Sequence, residues 1–188
     1  MSTSLSEKTY VSPQDFLHDS FLLAKKVLDS GFEPTFLVAL WRGGSPVGMV
    51  FTEYFNYKKK PFRDHIAIRV SAYSHDQLKP DVTIYSLDDL VKRLKSSDKL
   101  LFVDDIIDSG NSLRALLEKL TKECGQNTPQ DIRIATIYYK PEAIAQIPHQ
   151  VYCMHEAKNW IVFPHEIEGL TMEEIADNKG EIIAKTLS

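Results

Sequence analysis

The amino-acid sequence predicts an α/β fold in which helices cover both faces of a mostly parallel β-sheet. Short continuous apolar runs, typical of strands buried on both faces, alternate with segments of helical spacing. Three of the runs end in charged or glycine-rich segments, as expected where a parallel sheet binds a ligand at the carboxyl ends of its strands. With 188 residues, 43% of them hydrophobic, the chain can bury the core that such a fold requires.

The sequence of the first third of the chain predicts a helix, a buried strand and a second helix. Ser12 can cap free amide groups and the proline after it suits the first helical position, so we expect a helix from there to about Gly31. The apolar run 36–40 predicts a strand buried on both faces. Arg42-Gly43-Gly44 breaks this strand, and the segment from Pro46 to about Tyr54 is expected to be helical.

The remaining elements are assigned by the same patterns of apolar runs and helical spacing. The polar stretch from Ser71 to about Ser86 is expected to be a loop, and the tail from Asn159 is expected to hold one helix that begins at Thr171. The other strands are expected at residues 66–70, 100–103, 132–138 and 151–153, and the other helices at 87–94 and 111–122.

The chain has no internal repeat and no linker rich in glycine, serine or proline. We therefore expect a single domain over residues 1–188, with a small hood built largely from 140–188 and the N-terminal segment. The predicted strands lead into Arg42-Gly43-Gly44, Asp104-Asp105 and Lys140, and these ends are where we expect the chemistry.

The composition excludes several classes of protein. A formal net charge of −4 provides no global field that would draw the chain to nucleic acid or acidic lipid. No apolar run is long enough for a membrane span, and the polar N-terminus does not resemble a signal peptide. Cys124 and Cys153 are far apart and suit a reducing compartment. We expect a cytoplasmic protein without nucleic-acid or membrane partners.

The most specific segment runs from Leu100 to Ser112. A buried strand leads into two carboxylates, and a short loop containing Asp108, Ser109 and Gly110 then opens a helix. Free amides at the helix start and the serine hydroxyls can hold a phosphate, and the glycine lets the backbone approach it. Carboxylates beside an anion site fit a phosphorylated sugar, because they can accept hydrogen bonds from ribose hydroxyls and help place a hydrated Mg²⁺. Single acids of this kind can also be mere loop or capping residues.

This segment resembles the phosphoribosyl pyrophosphate (PRPP) binding signature of type I phosphoribosyltransferases. The resemblance implies the type I phosphoribosyltransferase fold, with a central, mostly parallel sheet flanked by helices and a hood from the terminal segments. It also implies that Asp104 and Asp105 bind the ribose hydroxyls and Mg²⁺. The 5′-phosphate is then expected on Asp108, Ser109, Gly110, Asn111 and Ser112.

The loop after the first strand resembles the family's pyrophosphate loop. Arg42 and Gly43 are expected to present a cation and open amides to the leaving diphosphate. The family's loop can contain a cis peptide, so the Trp41–Arg42 bond is a candidate for one. A tight turn after a strand would also use glycine, and Trp41 stands where a small residue is expected.

Two further segments resemble the base-binding residues of xanthine–guanine and related purine phosphoribosyltransferases. Lys140 matches the lysine that reaches the 6-oxygen of the base. Trp160 matches the aromatic residue of the hood that stacks on the purine, and the Ile161 backbone is expected at the base edge. A solvated lysine and a core tryptophan are the alternatives. His165 and Glu166 depart from the tryptophan and aspartate expected there.

The combined resemblance implies a purine-salvage enzyme that transfers the phosphoribosyl group of PRPP to N9 of xanthine, guanine or hypoxanthine. Asp108 is then the catalytic acid/base at the purine N7. Ser71 and Tyr73, with His75 and Lys79, are expected to form a lid that excludes water, although the stretch would equally suit a surface loop. By analogy with the family we expect a homodimer or homotetramer. The alternative is a PRPP-binding regulatory protein of the same fold that transfers no base.

Overall fold

The computed structural model describes residues 7–73 and 81–188. The described strands are β1 (Lys8–Tyr10), β2 (Phe36–Trp41), β3 (Asp64–Tyr73), β4 (Asp81–Tyr85), β5 (Lys99–Ile107), β6 (Asp131–Tyr139), β7 (Gln150–Glu156) and β8 (Trp160–Val162). The described α-helices are α1 (Pro13–Asp29), α2 (Gly44–Tyr57), α3 (Leu87–Arg93), α4 (Asn111–Cys124), α5 (Pro141–Ile144), α6 (Met172–Lys179) and α7 (Glu181–Leu187). No helix in these ranges is long and apolar enough to cross a membrane.

The main sheet has the strand order β4-β3-β2-β5-β6-β7, and every neighbouring pair is parallel except β3 and β4. Its core lies in 19–156, one of two compact units into which the chain divides. Phe36 and Val38 of β2 join a buried cluster that includes side chains of α3 and α4. α2 packs on the opposite face, where a Cβ at Gly48 would lie 2.9 Å from Ala39 Cβ. Helices therefore cover both faces of the mostly parallel sheet, as predicted.

The second compact unit consists of the described residues of the two terminal segments, 7–18 and 157–188. β1 and β8 form a parallel pair in which Lys8 is opposite Trp160 and Thr9 is opposite Ile161. Phe163 is buried and its ring stacks on that of His165, with 5.8 Å between the ring centroids. This unit therefore has its own small sheet and its own aromatic core.

Residues 71–86 were expected to be a loop, and this was wrong for 71–73 and 81–85, which are strands, while residues 74–80 lie outside the described residues. β3 continues to Tyr73, and β4 returns antiparallel to it with Ser71 opposite Thr83. β4 alternates in burial, with Ile84 buried between exposed neighbours, so its signal was weaker than that of the continuous apolar runs. β5 is also longer than predicted, because its ladder with β6 continues to the Ile107–Tyr139 pair and places Asp104 and Asp105 inside the strand.

Candidate active site

A cavity of about 210 Å³ opens where β5 loses one of its two neighbouring strands. β5 pairs with β2 only as far as the Ala39–Val103 pair, whereas its pairing with β6 continues to Ile107. The cavity contains five of the residues predicted to bind PRPP, namely Asp104, Asp108, Ser109, Gly110 and Ser112. Its other lining residues are Leu40, Trp41, Val70, Ile106, Ile107 and Leu113. The strand-end geometry expected from the sequence therefore brings most of the acidic signature into one cavity, and we call it the β5 cavity.

The loop between β5 and α4 has the form of an anion cradle. Gly110 precedes α4 with a φ of 71°, a left-handed conformation that glycine adopts without strain. Gly110 also packs closely on α5, since a Cβ at this position would lie 3.3 Å from the Ala143 carbonyl oxygen. The first amides of α4 have no partners within the helix, and the helix dipole favours an anion at this end. The arrangement suits a phosphate.

The two adjacent acids of β5 have different surroundings. Asp104 lines the β5 cavity and accepts hydrogen bonds from the Asp105 and Gly44 amides, the former at 3.0 Å. Burial and then the charge of Asp105 raise the pKa of the Asp104 carboxyl well above its ordinary value. Asp105 is buried against Gly43 and does not line the cavity. Hydroxyl donors or a cation would reduce the electrostatic repulsion between these two neighbouring carboxyls.

The loop from Trp41 to Gly44 lies directly against β5. The Trp41–Arg42 peptide is cis, as the resemblance suggested. A Cβ at Gly43 would lie 1.7 Å from Asp105 Oδ2, and a Cβ at Gly44 would lie 2.3 Å from the Val103 carbonyl oxygen. Close packing therefore requires glycine at both positions. Arg42 is exposed, and Trp41, the departure from the family pattern, forms part of the cavity wall.

Lys140 and Asp108 form an ion pair, although they are far apart in the sequence. The Lys140 amide donates to the Ile107 carbonyl oxygen at 3.0 Å, which fixes the end of β6 beside the end of β5. The hydrogen bond with Asp108 raises the pKa of the Lys140 ammonium. Both side chains keep considerable exposure to solvent. The predicted acid/base and the predicted base-binding cation are therefore neighbours in this structure.

The other two predicted base-binding residues belong to the terminal unit. Trp160 begins β8 and is 43% exposed, while Ile161 is buried beside β1. Just after β8, the Phe163 amide donates to Glu166 Oε2 at 3.1 Å, so Glu166 closes the turn in which it replaces the expected aspartate. Trp160 thus presents aromatic surface, whereas Ile161 can offer a ligand its backbone.

Two of the predicted lid residues, Ser71 and Tyr73, lie on β3. Ser71 is opposite Thr83 and Tyr73 is opposite Asp81 at the far end of the ladder. His75 and Lys79, which we also assigned to the lid, lie outside the described residues. A lid role for Ser71 and Tyr73 stays a prediction.

The donors near the β5 cavity fit Mg²⁺ in one particular way. No group of three or more His, Cys, Asp or Glu side chains in residues 7–73 and 81–188 is placed to hold a metal. Asp104 and Asp105 supply two neighbouring carboxyls. Mg²⁺ typically binds one or two carboxylates together with substrate phosphates and keeps several waters. The pair therefore suits an ion that arrives with a diphosphate, and does not form a closed metal site.

Some contacts around these residues have no counterpart in the sequence motifs. Arg114 donates to Asn111 Oδ1 at 2.6 Å and to Gln146 Oε1 at 2.8 Å, so it links the start of α4 to the segment after Lys140. Asn111 does not line the cavity and serves this link. In the terminal unit, Lys8 lies over the Trp160 ring. The three-residue spacing of Asn111 and Arg114 on a helix was a usable signal, whereas Lys8 gave none.

Comparison with known proteins agrees with this geometry. The family model described as the phosphoribosyl transferase domain matches residues 12–170. The chain is 26% identical over 143 residues to the xanthine-guanine phosphoribosyltransferase of Idiomarina loihiensis, covering 73% of this chain and 78% of the relative. The Helicobacter pylori xanthine-guanine-hypoxanthine phosphoribosyltransferase structure matches with a TM-score of 0.67 and 25% identity, covering 86% of this chain and 96% of that one. The purine phosphoribosyltransferase from Pyrococcus horikoshii has the same fold, with a TM-score of 0.65, 21% identity and coverage of 87% and 97%.

Proposed function

The chain belongs to the phosphoribosyltransferase family, and we propose that it joins the ribose of PRPP to N9 of a 6-oxopurine with release of diphosphate. The observation that carries the proposal is the Asp108–Lys140 ion pair beside the phosphate cradle. A purine needs a proton partner at N7 and its 6-oxygen needs a hydrogen-bond donor, and these two side chains can supply both. The names of the relatives, which include guanine and xanthine, support the same class of base.

PRPP is expected to bind along β5 and the loops on either side of it. The 5′-phosphate would lie on the amides and hydroxyls of residues 108–112, at the start of α4. Asp104 would accept hydrogen bonds from the ribose hydroxyls, with Asp105 beside it. The diphosphate would be held by the Arg42 cation and the backbone of the Gly43–Gly44 turn. Asp104 and Asp105 would also hold Mg²⁺, which supplies positive charge to the leaving diphosphate.

The acid/base chemistry is assigned to Asp108. In the forward reaction the base loses a proton while N9 forms a bond to the anomeric carbon and the bond to diphosphate breaks. Asp108 would exchange that proton at N7 once its ion pair with Lys140 opens on entry of the base. Lys140, released from the pair, would then donate to the 6-oxygen. The pair is exposed, so its opening costs little.

Other assignments stay proposals with weaker support. Trp160 would stack on the purine and Ile161 would contribute its backbone at the base edge, as the family resemblance implies. The end of β3 at Ser71 and Tyr73 would form part of the lid. A homodimer or homotetramer is supported by the exposure of Trp41 and Tyr57, two large apolar side chains available to an interface.

The test is a panel of bases offered with PRPP and Mg²⁺. Nucleotide formation is followed by absorbance with hypoxanthine, guanine, xanthine, adenine and orotate in parallel. The proposal predicts turnover of one or more of the first three, lost when Mg²⁺ is chelated. If adenine or orotate is the substrate, the 6-oxopurine assignment is wrong. If PRPP binds but no base reacts, the regulatory alternative replaces it.

A further inference from the structure

Trp160 has a cation next to its ring. Lys8 of β1 is opposite Trp160 of β8 in the parallel pair, and the Lys8 ammonium lies 4.9 Å from the centroid of the indole ring. This distance is within the range of a cation–π interaction, in which the ammonium is attracted to the negative face of the ring. The lysine therefore occupies part of the Trp160 surface from within the terminal unit.

The Lys8 side chain is fixed by several contacts. Its ammonium donates to Glu174 Oε1 at 2.7 Å and approaches the Gly169 carbonyl oxygen at 3.4 Å. The Tyr10 hydroxyl donates to the same Glu174 oxygen at 2.9 Å. Glu174 itself is tied into a capping box, because its other oxygen accepts from the Thr171 amide at 2.8 Å. The side chain of Lys8 is only 15% exposed, so this is not a freely solvated lysine.

A glycine approaches the same indole. Gly169 has a φ of 78°, and a Cβ built there would lie 3.0 Å from Trp160 Cη2. Lys8 and Gly169 thus both restrict the indole ring. The Lys8 ammonium also approaches the Gly169 carbonyl oxygen, so the two residues are joined. The indole nevertheless remains 43% exposed, so a substantial part of its surface is open to a ligand. An aromatic ring held in this way is preorganised for stacking.

We propose that Lys8 is a positioning residue for the purine base and acts through Trp160. The inference rests on the proposed function, in which Trp160 stacks on the base. With its ammonium on the ring, Lys8 fixes the orientation of the indole and leaves the uncovered surface for a planar base. Its charge also draws electron density from the indole, which favours stacking on an electron-rich 6-oxopurine. Glu174 holds Lys8 in this place.

A purely structural role is the competing explanation, since the Lys8–Glu174 pair also joins β1 to α6. The two explanations differ in what substitution changes. If the role is structural, substitution should lower stability and raise the KM values for both substrates together. If the role is positioning, substitution should raise the KM for the base and leave the KM for PRPP unchanged.

The experiment measures steady-state kinetics for Lys8→Met, Lys8→Arg and Glu174→Gln. Lys8→Met should raise the KM for the base about 3- to 10-fold, the scale of a partly desolvated cation–π contact. The KM for PRPP and kcat should stay within about twofold, because the cation touches neither PRPP nor the reacting atoms. Lys8→Arg should restore most of the loss, since a guanidinium also binds an aromatic face. Glu174→Gln leaves Lys8 in place but weakens its anchor, so it should give a smaller rise in the KM for the base. If Lys8→Met does not fold, Glu174→Gln replaces it in this test.

A double-mutant cycle with Trp160→Leu decides whether Lys8 acts through the indole. If it does, Lys8→Met should have no further effect on the KM for the base in the Trp160→Leu background. Equal effects in the two backgrounds, or matching rises in both KM values, would overturn the proposal. If Trp160→Leu alone leaves base binding unchanged, the stacking assignment of the proposed function is what fails. If only Trp160→Leu has an effect, the stacking assignment stands and the role of Lys8 is refuted.

Discussion

The region around the β5 cavity and the region around Trp160 are held by different kinds of contact. Beside the cavity the backbone of the Gly43–Gly44 turn lies against Asp105 and Val103 with no room for a methyl group. At Trp160 the contacts are made by side chains, with Lys8 anchored on Glu174. Where backbone segments pack in close contact, even one added methyl group must displace a neighbour. Where side chains make the contacts, each substitution removes one contact and should reduce activity by a smaller amount. The two regions should therefore respond to substitution with effects of different size.

The largest effect is expected from Asp108→Asn, at the mouth of the β5 cavity. The variant keeps the shape and one hydrogen-bonding oxygen but cannot take up a proton, so kcat should fall about 100- to 10,000-fold. Asp88→Asn, on the exposed first turn of α3, is the matched control and should be unaffected. A kcat for Asp108→Asn within tenfold of the parent enzyme would remove Asp108 from the acid/base role.

Gly43→Ala tests the close approach itself. Gly43 has helical backbone angles, with φ of −66° and ψ of −28°, so alanine is allowed conformationally. Its Cβ would nevertheless lie 1.7 Å from Asp105 Oδ2, and the carboxylate or the turn must move. We expect kcat/KM for PRPP to fall about 100-fold, the scale of a 1 Å misplacement in an active site.

The control for that experiment is Gly31→Ala. A Cβ at Gly31 meets no atom within 4 Å, although its φ is 81°. It should cost some stability through backbone strain and leave the kinetics of the folded enzyme unchanged. Equal kinetic losses in both variants would mean that the Gly43 effect is general destabilisation.

Lys140→Met tests the side chain that pairs with Asp108 and that we propose to bind the base. Losing a charged donor to the 6-oxygen should raise the KM for the base about 10- to 100-fold. The KM for PRPP should change little, and Lys119→Met, on the exposed side of α4, is the matched control. An increase in the KM for PRPP of the same size would assign Lys140 to the phosphates.

The smallest effect concerns the anchor of the Trp160 surface and its dependence on pH. Hydrogen bonds from Lys8, the Thr171 amide and Tyr10 lower the pKa of Glu174 from 4.5 to about 2. A carboxylate with a lowered pKa contributes stability above its unfolded pKa and loses it as the pH falls towards the folded value. The stability advantage of the parent protein over Glu174→Gln should therefore shrink between pH 4.5 and 2.

Thermal unfolding of both proteins across this range measures that advantage. The Lys8→Met variant supplies the control, because removing the ammonium raises the pKa of Glu174 towards its ordinary value and should shift the loss to higher pH. A difference between the parent and Glu174→Gln that does not change with pH would mean that the carboxylate contributes no charge interaction here.

Much of the main sheet and of the β5 cavity could be predicted from the sequence. β2 and β5 contain continuous apolar runs and β6 is mostly apolar, because a central parallel strand is buried on both faces. The loop between β5 and α4 was predictable as part of one cavity because Gly110 and its neighbours are specific residue types at a fixed spacing. The cis bond at Trp41 was expected from the resemblance.

The elements that were missed lacked such a signal. β1 and β8 have only three residues each, too few for a period, and pair across most of the length of the chain. β4 is an edge strand whose alternating pattern was hidden by polar neighbours. Lys8 and Glu174 are 166 positions apart, so only the folded terminal unit relates them. Side chains that meet through tertiary structure leave no local pattern.

The most direct test of the central claim is the ratio of kcat/KM for hypoxanthine to that for adenine at saturating PRPP and Mg²⁺. The substituents of the two bases differ only at position 6, where hypoxanthine presents an acceptor oxygen and adenine a donor amine, and N1 is accordingly a donor in hypoxanthine and an acceptor in adenine. With Lys140 as the donor, we expect hypoxanthine to be favoured by 100-fold or more, and the ratio to collapse in Lys140→Met. A ratio near one in the parent enzyme would contradict the assignment of this enzyme to 6-oxopurines, and an unchanged ratio in the variant would contradict the role of Lys140 as the donor.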